Sequence, residues 1–407
     1  MKTDNSRLKI AYLISNYLPS VGGAQVFVHR LATSVAGKGH GAIVITPGKK
    51  WKYDTKYDYD VLRINPIIYK LIFYNFALGK KILGAVLRDI QRRYSFDIWQ
   101  VTIGYPLGAA SADYFNAENI PSILRCAGED IQMSADIKYG YRLDRKVDNA
   151  VKENYKKFDA IITANNSFTK ELKDLGISGD KINIIPNGVD YGAFRVEVER
   201  EKTRRELGID DKTKLIISVG RNHPKKGFLY IPQIARRLSD KGLLFRWLLI
   251  GKGCESIKSQ AIKHGVQNLI ITKDLKVEIA ASGEPVIPSP KLIRYYKASD
   301  IFVYPTMIEL FAKVIIEAMA AGLPIVTTDA PGVDDMVIEG QDGLKNRVGD
   351  IDGMTRSISS IFSDVNLARR LSENALKRAE SYDWGLIADR YMLLYRDLFE
   401  RHKRGSS

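Results

Sequence analysis

The sequence predicts an α/β protein built of two doubly wound, Rossmann-like domains, and three observations carry that expectation. Short apolar runs with strand character alternate with helix-like segments through both halves, the pattern of parallel sheets covered on both faces. At 407 residues the chain exceeds what one hydrophobic core organises and suits about two domains. The periodicity breaks at "PNGVDYGAF" (186–194), where Pro, Asn and Gly precede the charged run "RVEVEREKTRRELG".

In the N-terminal half the expected strands are 8–14, 42–46, 96–102, 121–125, 159–164 and 182–186; in the C-terminal half they are 214–220, 245–251, 269–272, 300–305 and 323–329. Each is a brief run of Ile, Val, Leu or aromatic residues that ends near Gly, Pro, Asn or a charge, as buried parallel strands do. The expected domains are therefore 1–190 and 191–380. The remaining stretch, 381–407, contains "SYDWGLIADRYMLLYRDLFE" with apolar residues at helical spacing. It suits packing on either domain, including a return to the N-terminal one.

Composition narrows the class. Hydrophobic residues make up 45% and charged residues 27%, which fits a soluble globular protein and argues against disorder. The two cysteines, Cys126 and Cys254, lie far apart without metal-ligand spacing, so neither a disulfide framework nor a zinc site is expected and a reducing cytoplasm fits. The N-terminal apolar run is too short to span a membrane and reads as a first core strand. A net charge of +15 favours anionic partners. Residues 1–190 carry 27 basic and 19 acidic side chains, and 49–93 alone hold 11 and 4, so the positive field of this half comes from one patch. Charge alone would also suit nucleic acid, but no nucleic-acid module is recognisable and no nucleic-acid partner is expected.

Ligands of open parallel sheets bind outside the carboxyl ends of the strands, which makes each strand-to-helix loop a candidate. "VGRNHPKKGF" offers Arg221 and Lys226 in such a loop. A planar guanidinium fork and a mobile ammonium suit a diphosphate; standing alone, the loop reads sooner as solvated basic residues of a basic protein. A second loop follows "DIFVYP", before the helix "KVIIEAMAAG" that stops at Gly322. The backbone N–H groups of Phe311, Ala312 and Lys313 would be open donors at its positive end. Glu309 at the mouth can accept from sugar hydroxyls, and Glu317, two turns in, could take both hydroxyls of a ribose. In isolation the two acids read as one dipole-favoured carboxylate and one ordinary helix residue.

Taken together, these residues resemble a known family. "IELFAKVIIEAMAAGLPIV" is similar to the E-x7-E signature of retaining GT-B glycosyltransferases, the glycosyl transferase group 1 family. "VGRNHPKKG" resembles that family's donor loop, "PNGVD" its interdomain element and "NYLPSVGGAQ" its N-terminal Gly-Gly loop, while "LLIGKG" and "YYKASDIFVYPT" keep the family's order and spacing. The likeness spans nearly the whole chain. It implies the GT-B fold, two Rossmann-like domains facing across a cleft. It also implies a nucleotide-sugar donor (UDP-, GDP- or ADP-linked) held mainly by the C-terminal domain, and a glycan or lipid-linked acceptor held mainly by the N-terminal one. Transfer would be of a hexosyltransferase type, with anomeric retention, no catalytic metal and no cofactor beyond the donor.

Residue by residue, the resemblance gives Arg221 and Lys226 the diphosphate and Glu309 the donor sugar. Glu317 takes the ribose, and Phe311, Ala312, Lys313 and Gly251 complete the donor site. Gly22 and Gly23 line the acceptor side, with Asp130 capping a helix or touching the acceptor. Cleavage of the glycosyl–phosphate bond leaves negative charge on the nucleoside diphosphate, so cations aimed there favour the transition state over the ground state. A charge pair at about 4 Å is worth about 4 kcal/mol at an effective dielectric of about 20.

The departures matter as well. Ala127 stands before Gly128 where many relatives have His, Gln100 replaces another frequent His, and Leu310 and Ala312 occupy the usual glycine positions of the signature. They keep a non-catalytic binding protein of this fold in view, beside a nucleotide-sugar epimerase. His29, His40, His264 and His402 lack partners that suggest a metal or triad, and His223 reads as solvated. Residues 69–94 place Ile72, Phe76, Leu83, Val86, Leu87 and Ile90 along one helical side with Lys80, Lys81, Arg88, Arg92 and Arg93 elsewhere. That segment suits either a core helix or peripheral contact with an anionic membrane on the inner face of the plasma membrane, such as the resemblance implies for relatives acting on lipid-linked acceptors.

Overall fold

The computed structural model describes residues 7–49, 57–280 and 285–405. Residues 1–6 of the N-terminal segment and 50–56 of the basic stretch lie outside the described residues. Two compact units result: one holds the chain up to Asn187 with Ile279–Pro285 and the segment from Trp384, the other Gly188–Glu278 with Val286–Asp383.

The first unit is built on β1 (Lys9–Ile14), β2 (Gly41–Pro47), β3 (Asp60–Ile64), β4 (Ile98–Thr102), β5 (Ser122–Arg125), β6 (Ala160–Thr163) and β7 (Ile182–Ile184). They pair in the order β3-β2-β1-β4-β5-β6-β7, parallel throughout. Central strands β4, β5 and β6 are buried along their whole length, which is why they read as unbroken apolar runs. Helices α1 (Gly23–Gly37), α2 (Pro66–Tyr74), α3 (Phe76–Tyr94), α4 (Ala109–Ala117), α5 (Arg145–Asn154) and α6 (Thr169–Asp174) fill the crossovers. Val28, Leu31 and Val35 of α1 recur at helical spacing and are buried.

Residues 69–94 do not make one helix. Asn75 ends α2 and caps α3, its side chain accepting the Leu78 N–H at 3.1 Å, and a Cβ on Gly79 would collide with the Ile72 backbone. The stripe Ile72, Leu83, Leu87 and Ile90 is buried. It is the core-facing side of the hairpin, so of the two readings of this stripe the core-packing one holds, through the packing of α3 on α4 and of α2 on α3.

The second unit repeats the design. β8 (Lys214–Val219), β9 (Phe245–Ile250), β10 (Ile270–Lys273), β13 (Ile301–Tyr304), β14 (Ile325–Thr328) and β15 (Gly343–Asn346) form a parallel sheet in the order β10-β9-β8-β13-β14-β15; a separate two-residue ladder joins β11 (Glu278–Ile279) to β12 (Pro285–Val286). The helices are α7 (Arg200–Glu206), α8 (Ile231–Asp240), α9 (Ile257–Lys263), α10 (Pro290–Ala298), α11 (Lys313–Ala320), α12 (Ile351–Ser363) and α13 (Val365–Glu380). Side-chain caps start several of them: Ser289 accepts the Leu292 N–H, Asp350 the Gly353 N–H and Asp364 the Asn366 and Leu367 N–H groups.

Besides the two-residue β11 and β12, two strands of the main sheets escaped the sequence reading, β3 ("DVLRI") and β15 ("GLKN"), and both are edge strands. An edge strand has one neighbour and a wetter face, so it carries less of the apolar run that marks a central strand. α14 (Trp384–Gly405) closes the chain within the first unit. Its Trp384, Ile387, Tyr391, Tyr395 and Leu398 are buried; Trp384 and Tyr391 each lie 5.7 Å from the Phe27 ring. The Arg125 Nε donates to the Tyr391 hydroxyl at 3.0 Å, and the Tyr395 hydroxyl donates to Gln100 Oε1 at 2.6 Å. Gln100, in place of a frequent histidine, is thus a core residue. Among the described residues no helix is long and apolar enough to cross a membrane.

Candidate functional site

In the second sheet the strand order reverses between β8 and β13. Crossovers leaving those neighbours run to opposite faces and open a crevice at their carboxyl ends. The two loops that border it, 220–227 and 305–312, are the two that the sequence singled out. They are stitched together: the Lys225 carbonyl accepts from the Met307 N–H at 2.7 Å and from Thr306 Oγ1 at 2.8 Å. Gly227, at φ +63°, ends the short turn Pro224–Lys226, and a side chain there would collide with the Pro305 carbonyl. The His223 ring starts the same turn, Nδ1 accepting the Lys225 N–H at 3.3 Å, so it caps the loop.

Glu309 is only 4% exposed. Its Oε1 accepts from Lys226 Nζ and, at 2.7 Å, from the Tyr304 hydroxyl, while Lys225 Nζ lies 3.7 Å from Oε2. The main chain is gripped as well: the Glu309 N–H donates to the Pro331 carbonyl at 3.0 Å. Gly332, at φ +81°, packs so closely on the Glu309 carbonyl that no side chain fits. Burial pushes the Glu309 carboxyl up, but Lys226 and Lys225 and the hydrogen bonds from Lys226 and Tyr304 outweigh it and hold it below the usual glutamate range. Burial lowers the Lys226 ammonium; Glu309 opposes this, and Lys225 and Arg221 reinforce it.

Arg221 opens the same loop, exposed to solvent and without an ion pair among the described residues. Two cations therefore share one ionised carboxylate while Arg221 acts on Lys226 from the same loop, and the surplus positive charge suits a dianionic diphosphate. Lys225 and Tyr304 are the members that sequence reasoning missed. The doubled lysine and the tyrosine closing "DIFVY" were visible, but nothing local said that their side chains turn to the residue at 309. Tyr304 is a positioning residue here. Tyr304→Phe is expected to lower turnover by about tenfold, near the worth of one hydrogen bond to a charged group. It should also raise the acidic limb of the pH–rate profile, since one interaction that lowers the Glu309 carboxyl is lost; an unchanged profile would remove Tyr304 from this role.

Glu317, likewise 4% exposed, lies inside α11. Lys313 Nζ is 3.0 Å from its Oε1 and the Tyr296 hydroxyl donates to Oε2 at 3.2 Å. A carboxylate has about four acceptor sites, so both oxygens keep capacity for hydroxyl donors. Of the three N–H groups expected to be open, two are engaged. Ala312 N–H points at Met336 Sδ at 3.3 Å and Lys313 N–H at the Phe311 carbonyl at 3.1 Å, because the entry to α11 is a tight turn pressed on Met336. The Phe311 N–H alone has no hydrogen bond among the described residues. Gly251 follows β9 and packs against the Gly220 carbonyl, supporting the Arg221 loop from beneath.

In the first unit the order reverses between β1 and β4. Gly22 and Gly23 end the loop after β1 and begin α1, Gly22 as its extended N-cap. The Gln25 side chain folds back from α1 to donate to the Asn16 carbonyl at 3.3 Å. Asp130 is corrected as an acceptor contact: it is fully buried, with Oδ1 accepting the Ala127 and Gly128 N–H groups, each at 3.0 Å, and Oδ2 the Gly104 N–H at 2.8 Å. It ties the turn after β4 to the turn after β5. Burial raises its carboxyl against the backbone donors. Among the described residues no cluster of His, Cys, Asp or Glu has the arrangement of a metal site.

Comparison with known proteins finds matches over both units. Residues 199–378 match the family described as glycosyl transferases group 1, and residues 21–192 match glycosyltransferase family 4. An uncharacterized glycosyltransferase of Methanocaldococcus jannaschii is 25% identical over 414 residues, 97% of this chain and 99% of its own. The N-acetyl-alpha-D-glucosaminyl L-malate synthase of Bacillus anthracis is 23% identical over 398 residues, 95% and 97% of the two chains. Among solved structures, Anabaena HepE in complex with UDP and glucose is similar with a TM-score of 0.75 at 16% identity, over 96% of this chain and 100% of that one. At that identity the likeness speaks for the fold.

Proposed function

We infer that this chain, which belongs to the glycosyl transferases group 1 family and has the GT-B fold, moves a hexose from a nucleotide-sugar donor to a glycan or lipid-linked acceptor. The reading includes anomeric retention, no catalytic metal, and a role in cell-surface polysaccharide synthesis on the cytoplasmic side of the membrane. The observation that carries it is the cationic crevice at the switch point of the second sheet, where Lys225 and Lys226 pair with the ionised Glu309 and Arg221 lies close enough to act on the Lys226 charge. The complex of HepE with UDP and glucose supports a nucleotide-sugar ligand for this fold.

In the proposed mechanism Arg221 and Lys226 take the donor diphosphate, Lys226 turning from Glu309 toward it. As the glycosyl–phosphate bond lengthens, charge grows on the leaving oxygen and these preorganised cations stabilise it more than they did the ground state. Glu309, held by Tyr304 and freed from part of its pairing with Lys226, accepts from hydroxyls of the donor sugar. Glu317 accepts the ribose hydroxyls, and the Phe311 N–H is an available donor to the ligand. The acceptor lies against the Gly22–Gly23 turn of the first unit.

The test is to incubate the purified chain with UDP-, GDP- and ADP-sugars and measure binding and turnover, with and without candidate acceptors. Binding of one donor is expected; folded protein that binds none would sink the reading, and an epimerised sugar released without acceptor would assign the site to a different reaction. Glu317→Gln is expected to raise the KM for donor by about tenfold with a smaller change in kcat, since a charged acceptor of two hydroxyls is worth about 1.5 to 3 kcal/mol. Equal donor affinity in the variant would refute the ribose assignment.

A further inference from the structure

α11 begins on a cation that the helix itself does not favour. Lys313 is its first residue, no side chain caps it and no acid stands in its first turn, although the amino end of a helix stabilises anions rather than cations. The ammonium turns back along the same helix, where Nζ lies 3.0 Å from Oε1 of Glu317. A lysine four residues ahead of a glutamate is also the weaker order for such a pair. Helix stability therefore does not account for Lys313.

The pair has one fixed member and one movable one. Glu317 is buried, and the fully buried Tyr296 donates its hydroxyl to Oε2 at 3.2 Å. The Lys313 side chain is 22% exposed and has no other hydrogen bond or ion pair among the described residues. An ammonium carries three donors on a flexible four-carbon stem, so it can leave Glu317 without crossing the core. The second unit holds this arrangement twice. Lys226 rests on Glu309 and Lys313 on Glu317, and in each pair the acid is the one that would accept ligand hydroxyls. A ligand bringing hydroxyls alone takes the acid and leaves an ammonium without its counter-charge. One that also brings phosphate gives the displaced ammonium a new partner.

We propose that the Lys313 side chain makes the ribose site selective for phosphorylated nucleosides. It covers Glu317 in the unliganded protein and turns to a phosphate oxygen of the donor when the ribose hydroxyls take Oε1. Glu317, which would touch only the ribose, is thereby opened fully only to a ligand that carries phosphate. The proposal rests on the donor-site reading above, and adds the side chain of a position whose backbone N–H is engaged within its own turn.

The experiment is equilibrium titration of the full chain with UDP, GDP and ADP and with uridine, guanosine and adenosine. Wild type, Lys313→Met, Glu317→Gln and the double variant are compared. For the base that binds, Lys313→Met should weaken the nucleoside diphosphate about tenfold, as for one charge-assisted hydrogen bond. It should tighten the nucleoside about threefold, the low end for one hydrogen bond, because Oε1 is open. A lysine that only steadies Glu317 would weaken both ligands together. In the Glu317→Gln background the ion pair is gone and no buried charge is stranded, so folding is protected. Adding Lys313→Met there should still weaken the diphosphate about tenfold and leave the nucleoside unchanged. Lys313→Arg should keep the wild-type preference. Equal weakening of both ligands, unchanged diphosphate affinity, or a silent Lys313→Met in the Glu317→Gln background would overturn the proposal, and wild-type binding of the diphosphate would leave the proposed function standing. Wild type that binds none of the three diphosphates would strike both.

Discussion

Lys226→Ala is expected to lower turnover by about 10² to 10³ and to destabilise the second unit by about 3 to 5 kcal/mol. The first figure is the loss of one preorganised group aimed at developing charge. The second follows from the partner left behind: Glu309, 4% exposed and paired with Lys226, would keep its charge with only Tyr304 and the more distant Lys225 to answer it. Thermal or denaturant unfolding measures the second effect apart from the first. A double variant, Lys226→Met with Glu309→Gln, should recover much of the stability and none of the activity, because the uncompensated charge is gone.

The same lysine predicts a pH dependence. Burial, together with Lys225 and Arg221, holds its ammonium below the ordinary lysine range, with Glu309 opposing. As pH rises through that lowered value Lys226 loses its proton, so kcat/KM for donor, which reports the free protein, should fall below the pH at which an ordinary lysine titrates. Lys226→Arg should move that limb out of the accessible range, since guanidinium does not deprotonate in proteins. A limb unmoved in the arginine variant would assign it to another group.

Arg221→Ala is expected to cost about 10² to 10³ in kcat with almost no loss of stability. Arg221 is exposed and pairs with no carboxylate among the described residues, so its removal strands no buried partner and the effect falls on the reaction alone. Full activity in a folded variant would remove Arg221 from the mechanism. The contrast with Lys226→Ala is itself a test, because two cations from one loop should separate in unfolding experiments and agree in turnover.

Much of this was legible in the chain. The loops of Arg221 and Glu309 announced themselves because each follows an unbroken apolar strand and precedes helix formers, and strand ends of parallel sheets are where ligands bind. What the residues did with one another was not legible. Glu309 and Lys226 lie 83 positions apart, and their pairing depends on β8 and β13 being neighbours, which no local pattern states. Asp130 has the type and position of a ligand contact, yet three backbone N–H groups claim its oxygens. The apolar stripe of residues 69–94 was seen but left open between the core and a membrane, since periodicity gives a side of a helix without saying what covers it. The outward residues of α2 stand among equally apolar neighbours, and only packing separates the exposed Phe73 from the buried Ile72.

The sequence by itself determined the alternation of strands and helices, the division into two parallel-sheet units and the cationic and acidic residues of the donor loops, because burial period, turn chemistry and charge are properties of neighbouring residues. The tertiary structure alone decided which cation meets which carboxylate, that Tyr304 and Gly332 hold Glu309 in place, and which face of α2 meets solvent. Those are contacts between segments far apart in the chain, fixed by strand order and packing.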